Sequence, residues 1–253
     1  MFTLTLLTSP PPESLKSQVL QMVVDYFSDI SPAPLKPSNP LYQLYQYVIG
    51  FEVHLYLQAM GSDAGSARLI LALDDEDPSQ VLGFALYLPS PEDPEACTLL
   101  YLAVQAGNRR RGIARAMLQR MILLHPHAAL ACVASQVPVF EAMGFAVLGA
   151  RGPQVLMNTR NRASDGAVAV QDLAPIFQSK EVRQIHTYLV KQHGEKAMRD
   201  AERQRDRLLD QLARQAETLA RAPKREAAAL KAAGAAAFSA MTRPYGAPNS
   251  AVQ

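Results

Sequence analysis

The sequence predicts a mixed α+β protein, with a central mixed sheet flanked by helices and a helical C-terminal extension. Two observations indicate this class. Through residues 1–159, strand-like apolar runs bounded by turn sequences are interleaved with runs whose apolar residues recur at helical spacing. From residue 160 onward the chain is charged and poor in large apolar residues, so it lacks the material for a second core. We therefore expect two parts, 1–159 and 160–253.

The elements of the first part follow from local sequence. Phe2–Leu7 is a short apolar strand that a proline cluster ends. DDEDPS and PSPEDPE are turn sequences that separate three further strands, and Gly144 is a suitable C-cap for a short helix. The predicted helices are Glu13–Phe27, Leu41–Met60, Ile113–Leu124 and Pro138–Met143. The later predicted strands are Ala67–Leu73, Gln80–Leu88, Cys97–Val104, Ala128–Ala134, Phe145–Leu148 and Gln154–Met157.

The second part is predicted as a polar linker, Asn161–Gly166, followed by helices over Asp172–Gln192 and Glu195–Arg221. Pro223 suits the first turn of a further helix, and the last dozen residues are expected to be disordered. The apolar stripe of Glu195–Arg221 predicts burial, either against the first part or against a second copy in a homo-oligomer. The alternative is a basic arm that recognises a macromolecule such as a nucleic acid.

The charge of the chain is unevenly distributed. Residues 160–253 carry 16 Lys and Arg against 10 Asp and Glu, a net charge of +6. The 9 basic and 13 acidic residues before them give −4. Five of those nine are arginines of a single loop and the helix after it, at positions 109, 110, 111, 115 and 120. An acidic domain that concentrates its positive charge in one place indicates an anion-binding site, since solvated surfaces normally mix the two signs.

Composition excludes several classes of protein. The two cysteines, Cys97 and Cys132, lie in apolar runs and predict buried thiols in a reducing compartment. We expect a cytoplasmic protein, because the N-terminus lacks a basic signal-peptide region and no apolar run reaches the length of a membrane span. No metal site is expected, because no cluster of Cys, Asp or Glu stands near His125-Pro-His127, which is predicted as a turn.

The segment VQAGNRRRGIARAML carries the arginines. A β-like run leads into it, Gly112 opens a helix, and small Ala114 lets the first turn approach a ligand, which are the elements of a phosphate-binding loop. Two common phosphate loops are excluded. Gly107 and Gly112 have the spacing of a P-loop, but Ile113 and Ala114 replace its lysine and hydroxyl residues, and GxGxxG is absent. ATP, GTP and NAD are therefore not expected.

The remaining pattern, Val104-x4-Arg109-x2-Gly112-x-Ala114, resembles the acyl-CoA loop of the GNAT superfamily of N-acetyltransferases. Downstream, Phe140-Glu-Ala-Met-Gly-Phe145 is similar to the YEKLGF-like segment that closes the family's CoA site. The resemblance covers residues 97–148 as motif and about 1–159 as topology. It implies acetyl-CoA as co-substrate. The implied binding residues are Leu102, Ala103, Val104, Arg109, Arg110, Arg111, Gly112, Ile113, Ala114, Arg115 and Phe140.

The same resemblance implies direct acetyl transfer to an amine, with a backbone N–H of Leu102, Ala103 or Val104 meeting the acetyl carbonyl. Phe140 occupies the position of the family's usual tyrosine acid and has no proton to donate. Substitute acids are Tyr101, Ser135 and Cys132. Candidate bases share one helix: Tyr42, Tyr45, Tyr47, Glu52 and His54. The sequence predicts an N-acetyltransferase for an unidentified amine. The alternative is a weakly catalytic acyl-CoA-binding module that regulates a protein or nucleic acid through its basic tail.

Overall fold

A computed structural model describes residues 1–62, 67–160 and 173–241, with side chains up to residue 221. Seven strands form one mixed sheet in the order β1-β2-β3-β4-β5-β7-β6. The strands are β1 (Phe2–Leu7), β2 (Arg68–Asp74), β3 (Val81–Pro89), β4 (Ala96–Val104), β5 (His127–Cys132), β6 (Ala146–Arg151) and β7 (Gln154–Asn158). Only β4 and β5 pair in parallel among them. The predicted mixed sheet flanked by helices is confirmed.

Helices cover both faces of this sheet. They are α1 (Glu13–Asp25), α2 (Phe27–Ile30), α3 (Tyr42–Ala59), α4 (Ile113–Leu124), α5 (Val137–Glu141), α6 (Ala174–Phe177), α7 (Lys180–His193) and α8 (Glu195–Met241). One core lies between the sheet and α1, α3, α7 and the start of α8. A second core lies on the opposite face, beneath α4. Burial on both faces explains why β3 is apolar along its length rather than alternating.

Three predicted helix boundaries were wrong. Glu13–Phe27 is broken at Tyr26 into α1 and α2. The predicted Asp172–Gln192 helix divides before α7, because the Ser179 hydroxyl accepts a hydrogen bond from the Val182 N–H at 3.2 Å and caps a new start. Pro223 does not open a further helix, since α8 runs without a break from Glu195 to Met241. The predicted linker and disordered end lie outside the described residues.

The C-terminal helices pack on the chain's own sheet domain. α7 contacts α3, while α8 contacts α7 and then crosses to β6 and β7. Met198 and Ala201 are buried in the core beside α3, and Ala216 is buried in the core of the opposite face. The Arg205 guanidinium donates to the Tyr45 hydroxyl at 3.1 Å and adds a polar link. The apolar stripe was predicted to be buried either against residues 1–159 or against a second copy, and α8 packs against residues 1–159.

Candidate functional site

A cavity of about 490 Å³ opens where β4 ends and α4 begins. This volume lies within the usual range of small-molecule sites. Its walls come from the end of β4, the loop into α4, α2 and α5. Ten of the eleven residues predicted to bind the cofactor line it, all except Arg111. The full lining is Tyr26, Asp29, Ile30, Leu102, Ala103, Val104, Asn108, Arg109, Arg110, Gly112, Ile113, Ala114, Arg115, Gln136, Val139, Phe140 and Met143.

The cavity exists because β4 and β5 separate. Their parallel pairing covers only Ala96–Leu99 against His127–Leu130, although β4 continues to Val104. Among the described strands, none pairs with the edge of β4 that faces β5 beyond Leu99. A strand edge without a partner leaves backbone N–H and C=O groups available to a ligand.

The direction of these backbone groups can be assigned. The Gln105 N–H donates to a β3 carbonyl at 2.9 Å, so the N–H of Ala103, two residues earlier, also faces β3. The N–H groups of Leu102 and Val104 therefore face the gap. The Val104 carbonyl, which points the same way, accepts a hydrogen bond from Arg109 Nε across the gap at 3.2 Å, which agrees with this assignment.

The start of α4 presents further donors to the cavity. The first helical hydrogen bond runs from the Ala116 N–H to the Gly112 carbonyl at 2.9 Å, and none of the described side chains caps this end. The preceding three N–H groups are thus left for another acceptor, at the positive end of the helix dipole. Gly112 has φ +81° and Arg110 has φ +64°. A left-handed arginine costs about 1 kcal/mol, and such strain is typical of ligand-binding loops.

The loop arginines have different roles. Arg109 donates to Asp29 Oδ2 at 2.8 Å and lies over the Tyr26 ring at 4.8 Å, so it fastens the loop to α2. Arg111 does not line the cavity and donates to Oδ1 of Asn108, which does. Arg115 lines the cavity and donates to the Ala142 carbonyl at 3.3 Å. Within the described part of the chain, Arg110 has no hydrogen-bond or ion-pair partner, and it lines the cavity.

Several lining residues were missed by sequence reasoning because they come from distant elements. The Tyr26 hydroxyl accepts the Ala106 N–H at 2.7 Å and supports the loop from the α1–α2 break. Gln136 Nε2 donates to the Asp29 carbonyl at 2.5 Å and joins the two sides of the cavity. Neither link has a local sequence motif. For Asp29, the only indication in the sequence was the arginine cluster, because a concentration of positive charge predicts an acidic partner.

The proposed substitute acids do not line the cavity. Ser135 is exposed on the turn before α5. Cys132 is buried beside the Met157 sulfur at 3.8 Å, and burial raises the pKa of its thiol to about 11. Phe140 does line the cavity, and its ring packs edge-on against Phe145 with centroids 6.0 Å apart.

Tyr101 points to the face opposite α4. Its hydroxyl donates a short hydrogen bond to Glu52 Oε2 of α3. Burial, with the adjacent Glu52 carboxylate, raises the pKa of the Tyr101 phenol well above its ordinary value. Burial also raises the pKa of Glu52, against a smaller lowering by the Tyr101 hydrogen bond.

The other candidate bases on α3 have different surroundings. Tyr45 is hydrogen-bonded to Arg205, and the Tyr42 ring packs edge-on against Phe27. The Phe51 ring stacks with both Tyr47 and His54. The ring contacts are packing contacts, as expected for aromatic residues on a helix that covers a sheet, and the Tyr45 hydroxyl accepts a hydrogen bond from Arg205.

Two other features lie away from the cavity. Asp93, Glu95 and His127 meet at the opposite end of β4, where Arg160 pairs with Glu95 at 2.9 Å. Asp93 contacts His127 Nδ1 at 3.1 Å, while the buried Nε2 has no hydrogen-bond partner among the residues that the structure describes. In the part of the chain that is described, no helix combines the length and apolarity needed to cross a membrane.

Comparison with known proteins finds a family match over residues 25–145. Residues 25–145 match the model of the acetyltransferase (GNAT) family. No curated protein matches the chain. Similar solved structures include an acyl-CoA N-acyltransferase from Pseudomonas aeruginosa (12% identity, 62% of this chain, 99% of that chain, TM-score 0.44). Another is the PaiA N-acetyltransferase of Thermoplasma acidophilum with coenzyme A (10%, 62%, 98%, TM-score 0.48). The family match falls on the residues that build most of the sheet and the cavity, and it identifies residues 25–145 as a GNAT acetyltransferase domain.

Proposed function

We propose that the protein is an N-acetyltransferase that moves an acetyl group from acetyl-CoA directly to an amine. The observation that carries this proposal is the cavity itself. One wall has donors suited to phosphate, at the start of α4, and another has donors suited to a carbonyl oxygen, at the free edge of β4. Acetyl-CoA needs both kinds of donor, because it carries phosphate groups at one end and a thioester carbonyl at the other.

The phosphate end of the site is built from backbone. The N–H groups of Ile113, Ala114 and Arg115 are available to pyrophosphate oxygens, and the helix dipole favours negative charge there. Arg110 supplies a charge that no described carboxylate neutralises. Arg109 holds the loop through Asp29 rather than binding the ligand itself, so its contribution is to the position of the other donors.

The reacting end of the site relies on backbone groups. The acetyl group of acetyl-CoA supplies the electrophilic carbonyl, and the Leu102 and Val104 N–H groups stabilise the negative charge that develops on its oxygen during attack. Phe140 excludes water and packs beside the thioester. With no side-chain acid among the lining residues of α5, the departing thiolate takes its proton from the attacking amine or from water. Turnover on ordinary amines is therefore expected to be slow.

The test of this proposal combines binding and transfer. Calorimetry with CoA and with ATP should show binding of CoA alone, and a panel of primary amines should include one that acquires the acetyl group. Arg110→Ala should weaken CoA binding by about 1.5–3 kcal/mol, the range for hydrogen bonds to charged groups. The matched control is Arg120→Ala, which lies on α4, the helix after the loop, and outside the cavity. Equal loss of affinity in both variants would contradict the site.

One observation favours the alternative of an interaction module. Lys180, Arg183 and Lys191 lie along one face of α7 with Tyr188, which is 61% exposed. No carboxylate of the described residues pairs with these three cations. If this face binds single-stranded nucleic acid through three phosphates, log affinity should fall against log salt with a slope of about −2. Absence of any salt-dependent binding to a labelled oligonucleotide or to polyglutamate would exclude it.

The cytoplasm is the compartment that we propose. Both cysteines are buried and unpaired, which is usual for proteins kept in a reducing environment.

A further inference from the structure

Glu52 is the only charged residue among the buried polar residues of the described chain, with 5% of its surface exposed. The other buried polar residues are two serines and an asparagine. Burying an isolated carboxylate is unfavourable, and an apolar side chain would satisfy the packing of α3 on the sheet at lower cost. A carboxyl at this position therefore needs an explanation other than packing.

A bulge in β4 brings Tyr101 to this carboxyl. The β3–β4 register pairs Leu86 with Tyr101 and Tyr87 with Leu99, which leaves Leu100 without a partner. The extra residue reverses the alternation of side chains. Leu99 accordingly packs beneath α4, whereas Tyr101 packs on the α3 side. Without the bulge, the Tyr101 phenol would face α4 and could not reach Glu52.

The same bulge sets the pair beside the reacting end of the cavity. Tyr101 immediately precedes Leu102, whose N–H faces the gap between β4 and β5, so the two backbone positions are about 3.3 Å apart along the strand. The phosphate-binding loop and α4 lie towards one face of the sheet, and the Tyr101–Glu52 pair lies on the other face. With CoA on the α4 side, the opposite face, which holds the pair, is left for the approach of the amine.

We propose that Tyr101 and Glu52 form a proton relay that deprotonates the acceptor amine. This inference rests on the acetyltransferase function proposed above and assigns its base. The ammonium group of the acceptor donates its proton to Tyr101 Oη while the phenolic proton passes to Glu52 Oε2. The free amine then attacks the acetyl carbon. The C–N bond forms, the C–S bond breaks, and the thiolate takes the second proton that the nitrogen releases. Glu52 returns its proton to solvent.

The relay fits the chemistry of both groups. Burial disfavours a phenolate, and Tyr101 remains neutral throughout because it loses one proton as it gains another. Burial favours a protonated Glu52, which makes its carboxylate a stronger base than an exposed one. Among the described residues, the titratable groups that act on the pair are each other and Tyr56 of α3.

The test is the pH dependence of transfer by Glu52→Gln and Tyr101→Phe in the full chain. Wild type should lose activity as pH falls through the pKa of Glu52. Glu52→Gln should lower kcat by about 10²–10⁴-fold, the usual contribution of a general base, and should lose that acidic limb. Tyr101→Phe should lower kcat similarly. CoA affinity, measured by calorimetry, should stay unchanged in both variants, and Glu92→Gln, an exposed carboxyl elsewhere, should behave as wild type.

The outcomes separate the two proposals. If wild type transfers acetyl and Glu52→Gln keeps both its rate and its acidic limb, the relay is wrong while the acetyltransferase function stands. If both variants lose rate through a lower melting temperature but keep the wild-type pH profile, the pair is structural and the relay is wrong. If Glu52→Gln does not fold, Tyr101→Phe decides alone. If wild type neither binds CoA nor acetylates any amine, the function fails and the relay fails with it.

Discussion

Gly83 of β3 controls how closely α4 approaches the sheet, and Gly83→Ala should loosen the site without touching its ligand. A Cβ at this position would lie 3.0 Å from the Ala103 carbonyl oxygen, 3.2 Å from Ile113 Cγ2 and 3.2 Å from Met117 Cε. The first neighbour is backbone and cannot yield cheaply. Either the helix moves outward or β3 and β4 shift against each other.

The magnitude follows from overpacking. Inserting a methyl group into a filled core costs about 1–3 kcal/mol, and a loss of about 2 kcal/mol lowers the melting temperature of a chain of this size by roughly 4–8 °C. CoA affinity should fall as well, because Ile113 and Ala103 both line the cavity. Differential scanning calorimetry gives the first quantity and titration with CoA gives the second.

Gly50→Ala is the matched control. Gly50 lies inside α3, and a Cβ there would meet no atom within 4 Å. Alanine in a helix interior is more stable than glycine by about 0.5–1 kcal/mol, so this variant should melt higher and bind CoA as wild type does. A Gly83→Ala protein with the stability and affinity of wild type would refute the tight contact between α4 and the sheet.

Four further outcomes are expected. Gly112→Asp places a carboxylate and a Cβ at a left-handed position beside the phosphate donors, so calorimetry should show no CoA binding. Phe140→Leu should lower turnover only modestly through packing, and a large loss with CoA affinity intact would contradict the role given to this ring; Phe140→Tyr should raise turnover if its hydroxyl reaches the sulfur. Met198→Asp should destabilise the protein by several kcal/mol, since it buries a charge between α8 and the core; a melting temperature equal to that of wild type would contradict the packing of the extension. Glu52 has a raised pKa in the folded chain, so its contribution to stability is complete below its ordinary pKa of 4.5 and is lost as pH rises through the raised value. The melting temperature of wild type, measured relative to that of Glu52→Gln, should therefore decline as pH rises over this range. A difference in melting temperature that stays constant with pH would contradict the burial of an ionisable carboxyl.

The loop that lines the cavity could be predicted because its pattern is local. Gly112, Arg110 and the apolar strand before them are neighbours in sequence, and each has a conformational or electrostatic reason to be there. The separation of β4 from β5 was not predictable in the same way, because it depends on where a parallel pairing stops. Tyr26, Asp29 and Gln136 reach the cavity from elements far apart in the chain and have no motif of their own.

The role of Tyr101 shows a different limit. Its position on the strand before the loop made it a candidate acid. Which face of the sheet its side chain occupies could not be predicted, because the alternation of side chains along a strand gives no sign of a bulge. The unpaired Leu100 reverses the alternation, and the phenol faces α3 and Glu52 instead of the α4 side. The pairing of two residues that the sequence had suggested separately, one as an acid and one as a base, depends on this single inserted residue.

The C-terminal extension was predicted as helical with an apolar stripe, and that stripe packs on the chain's own sheet. The division into a domain of residues 1–159 and an extension remains a proposal, because burial of Met198 and Ala216 in the two cores joins the extension closely to the domain. Helical periodicity alone does not specify which surface an amphipathic helix will cover.

A crystal structure of the protein with acetyl-CoA tests the proposed function most directly. The expected result has pyrophosphate oxygens within hydrogen-bond distance of the N–H groups of Ile113–Arg115 and the acetyl oxygen on the N–H of Leu102 or Val104. The thioester should lie in the gap between β4 and β5, with Tyr101 and Glu52 on the side from which an amine approaches. Acetyl-CoA bound elsewhere, or bound at the loop with its acetyl group directed away from β4, would contradict the proposal.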